Sequence, residues 1–220
     1  MRNRSMFTIA AMLLFAVPFQ PNHPPVVRIE TPVRNAVIST GSSVAWQIEV
    51  SDPEDGDSRY DEINTREVIV ELAAGGSIGR GKIDSALTIM AVNNCYNCHQ
   101  FNARSLGPSF FEIAKRYPAT KANMDTLVQR VKNGSSDIWG RIEKMPSHPE
   151  LSVAAIRATV RWILHSAARP DHSWYFGTSG ILHLDRPGAY TLTATYTDHG
   201  TKEEPSARLS GSDRIVVTVK

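Results

Sequence analysis

Cysteine is scarce in this chain: Cys95 and Cys98 are the two there are. A structural zinc site takes four ligands at paired spacings, so zinc would need a further pair that the cysteines do not supply. Long apolar runs are lacking too. The run from Met6 to Phe19 falls short of the roughly 20 residues that cross a bilayer, and no stable membrane span is expected. Charge of one sign is also missing. The formal charge of +2 comes to about zero once Arg2 and Arg4 are set aside, and no nucleic-acid partner is expected. The glycines of Ala73 to Gly81 fit neither phosphate-binding pattern and read as a linker. The acidic run Asp52 to Glu62 does not match the EF-hand loop. It crowds Asp52, Glu54, Asp55, Asp57 and Asp61 into one turn, which reads as solvated or as a calcium site. No nucleophile, base and oxyanion donors gather anywhere, so an enzyme is not expected.

What is present centres on Asn94-Cys95-Tyr96-Asn97-Cys98-His99. Two cysteines two residues apart with a histidine directly after them form the c-type haem attachment signature. The spacing has a mechanical reason: two thiols add across the two vinyl groups, and the next residue then lies under the iron. Cys95, Cys98 and His99 therefore read as one site for one covalently attached haem c, with His99 on the metal. A redox dithiol and half of a zinc site are the competing readings. A thioredoxin-like motif follows a strand, whereas a helical pattern precedes this one.

Arg2 and Arg4 stand before the apolar run, and Pro18, Pro21, Pro24 and Pro25 follow it, the layout of a secretory signal peptide over residues 1–20. No small-x-small pair closes the run, so an uncleaved amino-terminal anchor is the alternative. Export agrees with covalent haem attachment, which takes place outside the cytoplasm, and the expected location is the periplasm.

Charge is unevenly spread. Lys82 to Ala168 holds eleven Lys or Arg against six Asp or Glu, while Pro21 to Gly79 holds four against ten. The acidic first part is strand-like in Val26 to Ile29, Ser43 to Val50 and Glu67 to Leu72, which are β-branched and largely alternating. The last part repeats the style in Gly180 to Leu184, Ala189 to Tyr196 and Arg214 to Val219, with turns at Pro187-Gly188 and Asp198-His199-Gly200. Neither flank closes a two-sheet core alone, and together they supply about seven strands. Val50 to Asp57 and Pro187 to Asp198 resemble the opening and closing patterns of the PKD-type immunoglobulin-like domain. That family's Trp-Asp-Phe-Gly-Asp-Gly stretch is missing, and a helical segment stands in its place. The expected fold is multi-domain: an all-β immunoglobulin/PKD-like sandwich interrupted by an all-α insert. Its parts are 21–81 with a linker, 82–168, and 169–220 with a connection at Arg169 to Gly177.

Between the linkers the apolar period becomes helical. Ile83, Leu87, Met90 and Ala91 share one face, and Phe110, Phe111, Ile113 and Ala114 lie in a second helix that stops at Pro118. Met124, Leu127, Val128 and Val131 mark a third, ended by Asn133-Gly134. A fourth starts at the N-cap Ser152 and carries Ile156, Val160, Ile163 and Leu164. Met90, Met124 and Trp162 read as packing.

The segment from Leu87 to Ala167 resembles a small bacterial class I cytochrome c over nearly the whole length of such a domain. Leu106-Gly107-Pro108-Ser109-Phe110 is similar to the loop behind the proximal ligand, and the resemblance implies that the Pro108 carbonyl accepts the His99 ring N–H. Arg130 to Gly140 resembles the stretch entering the distal loop, and Lys144-Met145-Pro146 its ligand turn. The ligand loop is one residue longer than in the family pattern. The resemblance implies Met145 as sixth ligand, a soft thioether that raises the potential and suits electron transfer. His148 on the same loop is the rival. Trp139 is either a core aromatic or, as the resemblance implies, an indole donor to a haem propionate. Asn133 either touches the methionine sulfur or a propionate, or ends its helix.

The reading is a periplasmic monohaem c-type cytochrome with His/Met ligation that carries single electrons between redox partners. Lys115, Arg116, Arg141 and Lys144 around the haem edge lead to an acidic docking face on the partner, a dehydrogenase donor or oxidase acceptor. A second reading makes the sandwich a saccharide- or partner-binding module with the cytochrome as its electron outlet. That combination is similar to the carboxyl-terminal modules of exported quinoprotein sugar dehydrogenases. A haem sensor or peroxidase with Met145 displaced is a third.

Overall fold

The computed structural model describes residues 21–75, 84–140 and 144–220. The expected signal peptide, Ile83, most of the 73–81 linker and Arg141 lie outside the described residues.

The amino-terminal flank forms β1 (Val26–Thr31), β2 (Val37–Ile38), β3 (Ser42–Asp52), β4 (Gly56–Asp57) and β5 (Ile69–Ala74). Four helices follow: α1 (Ser85–Val92), α2 (Phe110–Arg116), α3 (Lys121–Asn133) and α4 (Val153–Ser166). The chain then returns to strands in β6 (His172–Phe176), β7 (Ser179–Leu184), β8 (Gly188–Thr197) and β9 (Ser210–Val219). One sheet joins β1, β3, β4 and β7; the other runs β2-β9-β8-β5-β6. Strands from both flanks meet in each sheet. β3 pairs with β7 from Ser42↔Leu184 to Gln47↔Ser179, and β5 lies between β6 and β8 with Leu72 opposite both Ser173 and Leu192.

Alternation explains the shared core. Trp46, Ile48 and Val50 of β3 face Val70, Leu72, Leu192, Ala194 and Tyr196 of the second sheet, while the residues between them point outward. Burying one face of each sheet against the other is what a period of two permits. β5 departs from simple alternation, since Ile69 and Val70 are both buried. Val70 joins the inter-sheet core, and Ile69 joins a second cluster with Leu87 and Met90 of α1, Trp162 and Ile163 of α4. The helices therefore pack on the outer face of the second sheet, which is why Ile69 is buried on the face of β5 opposite Val70.

The expected connection from Arg169 to Gly177 is corrected here, because most of it is strand β6. Its alternation serves both layers: Trp174 and Phe176 pack against the helices, and Tyr175 against the inter-sheet core. The other additions to the expected strands are the two-residue β2 and β4, too short to show a period. The helix ends follow local chemistry. Asp84, Thr120 and Ser152 accept from the backbone N–H groups of Ala86, Asn123 and Ala155, and Ser109 with Glu112 closes a capping box on α2. Phe110 of α2 is buried, whereas Phe111 beside it is exposed.

Candidate functional site

α1 delivers the chain into a tight 3-10 turn at Cys95–Asn97, entered by Asn94 at φ 58°. The Cys95 carbonyl accepts from both Cys98 N (3.2 Å) and His99 N (3.0 Å), which folds both thiols and the imidazole onto one side of the turn. The next loop then folds back, with Gly107 N donating to the Cys98 carbonyl at 2.8 Å. His99 Nδ1 donates to the Pro108 carbonyl at 2.6 Å, and the ring of Phe110 stacks on the imidazole at 5.5 Å and 21°. A Cβ on Gly107 would stand 2.6 Å from His99 Cε1, so the close approach of loop to ring requires glycine.

The opposite wall comes from the end of α3. Gly134 turns the chain at φ 81°, and Ser135 and Met145 then exchange backbone hydrogen bonds at 3.1 and 2.9 Å. Trp139 stands at the rim. The Arg116 guanidinium lies over its ring at 4.4 Å and that of Arg104 at 5.7 Å. Arg130 donates to the Tyr117 hydroxyl at 2.6 Å beside it.

These elements enclose a cavity of about 410 Å³, with Cys95, Cys98, His99, Pro108, Trp139 and Met145 on its wall. The structure thus brings together every sequence-predicted site residue except Asn133. Asn133 is exposed at the end of α3, where its amide donates to Gln129 Oε1 at 3.0 Å, and it does not line the cavity. His148 lines the cavity as well.

The chemistry of the wall fits a haem. Leu127, Val131, Ile156 and Val160 make it largely apolar, and the Thr159 hydroxyl is buried on it without a hydrogen-bond partner among the described residues. Burial holds the His99 pKa below its ordinary value, so the ring is neutral and its Nδ1–H bond leaves Nε2 as the free donor atom. Burial also pushes the Cys95 thiol up to about 11. A reactive redox cysteine needs the opposite shift, which weighs against the dithiol reading.

Sequence reasoning passed over the residues that brace the motif from the β part. Arg66, between β4 and β5, donates to the Tyr96 carbonyl at 3.2 Å and to Asn97 Oδ1 at 2.9 Å. Asn102 donates to the Trp174 carbonyl of β6 at 3.0 Å. Tyr96 is 2% exposed, stacked on Phe176 at 5.4 Å. No local pattern marks these partners, which lie 30 to 80 residues away.

The sequence model of a family described as cytochrome c matches residues 85–167, the stretch from α1 to α4. Cytochrome c-552 of Nitrosomonas europaea is 33% identical over 93 residues, covering 42% of this chain and 89% of that protein. Cytochrome c2 of Rubrivivax gelatinosus is 38% identical over 71 residues, covering 32% of this chain and 84% of that protein. The crystal structure of wild-type Nitrosomonas europaea cytochrome c552 is similar at 35% identity and a TM-score of 0.34, covering 36% of this chain and 95% of that one.

Proposed function

The chain belongs to the cytochrome c family, and from that premise we propose that it is a periplasmic monohaem carrier of single electrons, with His99 and Met145 as axial ligands. Its cofactor is one haem c attached through Cys95 and Cys98. The observation that carries the reading is the convergence of the Cys95 and Cys98 thiols, the His99 imidazole and the Met145 thioether on a single apolar cavity. When bound, the haem supplies a one-electron couple whose potential its axial ligands set.

The chain's own residues do the rest. The Pro108 carbonyl keeps the proton on His99 Nδ1, and Phe110 and Gly107 hold the ring in one plane. That arrangement fixes the tautomer and raises the basicity of Nε2. The bridge to Ser135 fixes the backbone of Met145 at the opposite wall, which supports Met145 over His148 as the ordinary sixth ligand. A soft sulfur there favours the reduced state. Trp139 at the rim is proposed to donate its indole N–H to a propionate, beside the positive charge of Arg104 and Arg116. With His99 and Met145 both holding the group, no open position would remain for a substrate, so the proposed function is electron transfer rather than catalysis.

The same proposal extends to the flanks. The two sheets form a PKD/immunoglobulin-like sandwich split by the cytochrome domain, with parts 21–81, 82–168 and 169–220 behind a signal peptide at 1–20. Pairing of β3 with β7 and of β5 with β6 and β8 supports it. Lys115, Arg116 and Lys144 are exposed on the cytochrome part, which suits a redox partner with an acidic docking face.

The test is a far-red absorption spectrum of the oxidised protein beside a Cys95→Ser, Cys98→Ser variant. A sulfur-to-iron charge-transfer band is expected in the first and no covalent haem in the second. Full covalent haem in the double variant would sink the assignment of the attachment site.

A further inference from the structure

Two histidines line the haem cavity. Resting on the reading that the iron sits between His99 and Met145, we propose that His148 is a reserve axial ligand, placed to take the position that Met145 leaves.

The first support is location. His148 is on the cavity wall, and its side chain is 20% exposed although its neighbours Ser147 and Pro149 are open to solvent. The second is its second shell. His148 Nδ1 stands 2.9 Å from Glu150 Oε1, so the ring's Nδ1–H donates to a carboxylate and Nε2 is the nitrogen that this bond does not use. Metal-ligating histidines carry this partner almost without exception, because it fixes the tautomer and makes the other nitrogen more basic. His99 shows the same arrangement with the Pro108 carbonyl in the carboxylate's place.

The third support is anchorage. His148 N donates to the Val131 carbonyl of α3 at 3.1 Å, whereas Met145 is fixed separately by its bridge to Ser135. The thioether can therefore withdraw without carrying the imidazole away, and the helix end remains as the fixed point. The exchange breaks a bond to sulfur and forms one to Nε2, while Nδ1 keeps its proton and its hydrogen bond to Glu150. Imidazole is the harder base, so His148 gains on Met145 when the iron is oxidised, and the potential falls when it binds.

The test uses the full-length holoprotein with Met145→Leu, which keeps side-chain volume and removes the sulfur, alone and combined with His148→Ala. The single variant is expected to lose the far-red band, stay low-spin and show a lower potential. The double variant is expected to be high-spin. Carbon monoxide should bind the reduced single variant more slowly than the double by about tenfold or more, because the open position is only fractionally available. A high-spin single variant that binds carbon monoxide as fast as the double overturns the proposal. Should neither variant mature, warming the wild type and His148→Ala until the far-red band fades reads the same exchange, with a low-spin product expected in the wild type alone. The band in unheated wild type keeps the two ideas apart: its absence overturns Met145 as ordinary ligand, whatever the variants show.

Discussion

At the scale of single residues, the haem motif is legible because its chemistry is local. Cys95, Cys98 and His99 need only a short spacing, and one 3-10 turn brings them together. Gly107 carries a constraint of another kind, since it is set by a ring eight residues away. Gly107→Ala is expected to destabilise the holoprotein by about 1–3 kcal/mol, the usual cost of overpacking, and to disturb the haem spectrum through the tilt of His99. Chemical denaturation followed at the haem absorbance checks both. His199 makes a pH prediction. A hydrogen bond from its ring to Glu67 at 2.8 Å, with Asp55 at 3.2 Å, raises its pKa to about 9. A raised folded-state value means the stabilisation is fully present below the ordinary 6.5 and is lost as pH climbs through about 9. The ring is 44% exposed, so solvent screening holds the effect to about 1 kcal/mol or less. Tm measured between pH ~6 and ~10 should fall further in the wild type than in His199→Gln, and equal slopes would count against the pairing.

At the scale of elements, helix boundaries were readable from their caps. Ser152 and Asn133-Gly134 stand where the pattern expects, and Ser109 with Glu112 carries a capping-box signature at the start of α2. β6 was not readable. His172-Ser173-Trp174-Tyr175-Phe176 has no apolar-polar alternation, because both its faces are covered, one by the helices and the other by the inter-sheet core. Trp162 shows what the layer contact is worth. It is 4% exposed and meets Phe101, Phe110 and Trp174 at ring distances of 5.8, 6.4 and 5.1 Å. Trp162→Ala should therefore cost about 3–5 kcal/mol, read from a urea transition. A loss under 1 kcal/mol would mean that the aromatic layer is not what joins helices to sheet.

At the scale of the whole molecule, strand pairing makes each flank dependent on the other. A fragment of residues 21–75 leaves behind both partners of β5 and is expected to stay unfolded by circular dichroism. A cooperative, β-rich fragment would contradict that. Charge acts at this scale too. If exposed Lys115 and Lys144 steer an acidic partner, second-order transfer rates should fall as salt shortens the Debye length towards about 3 Å at 1 M. Reversal to Glu at both positions should slow transfer at low salt, and unchanged rates would leave the basic face without that role. The sequence by itself determined the attachment triplet, the four helices and the main strands, because each rests on spacing, capping or a period within a few residues. Only the tertiary structure decided that the helices lie on the outer face of the second sheet, that Arg66 and Asn102 brace the haem turn, and that Asn133 stays outside the cavity. Those outcomes depend on which surfaces meet after the chain has returned over distances of 30 to 80 residues, and a local pattern carries no record of such meetings.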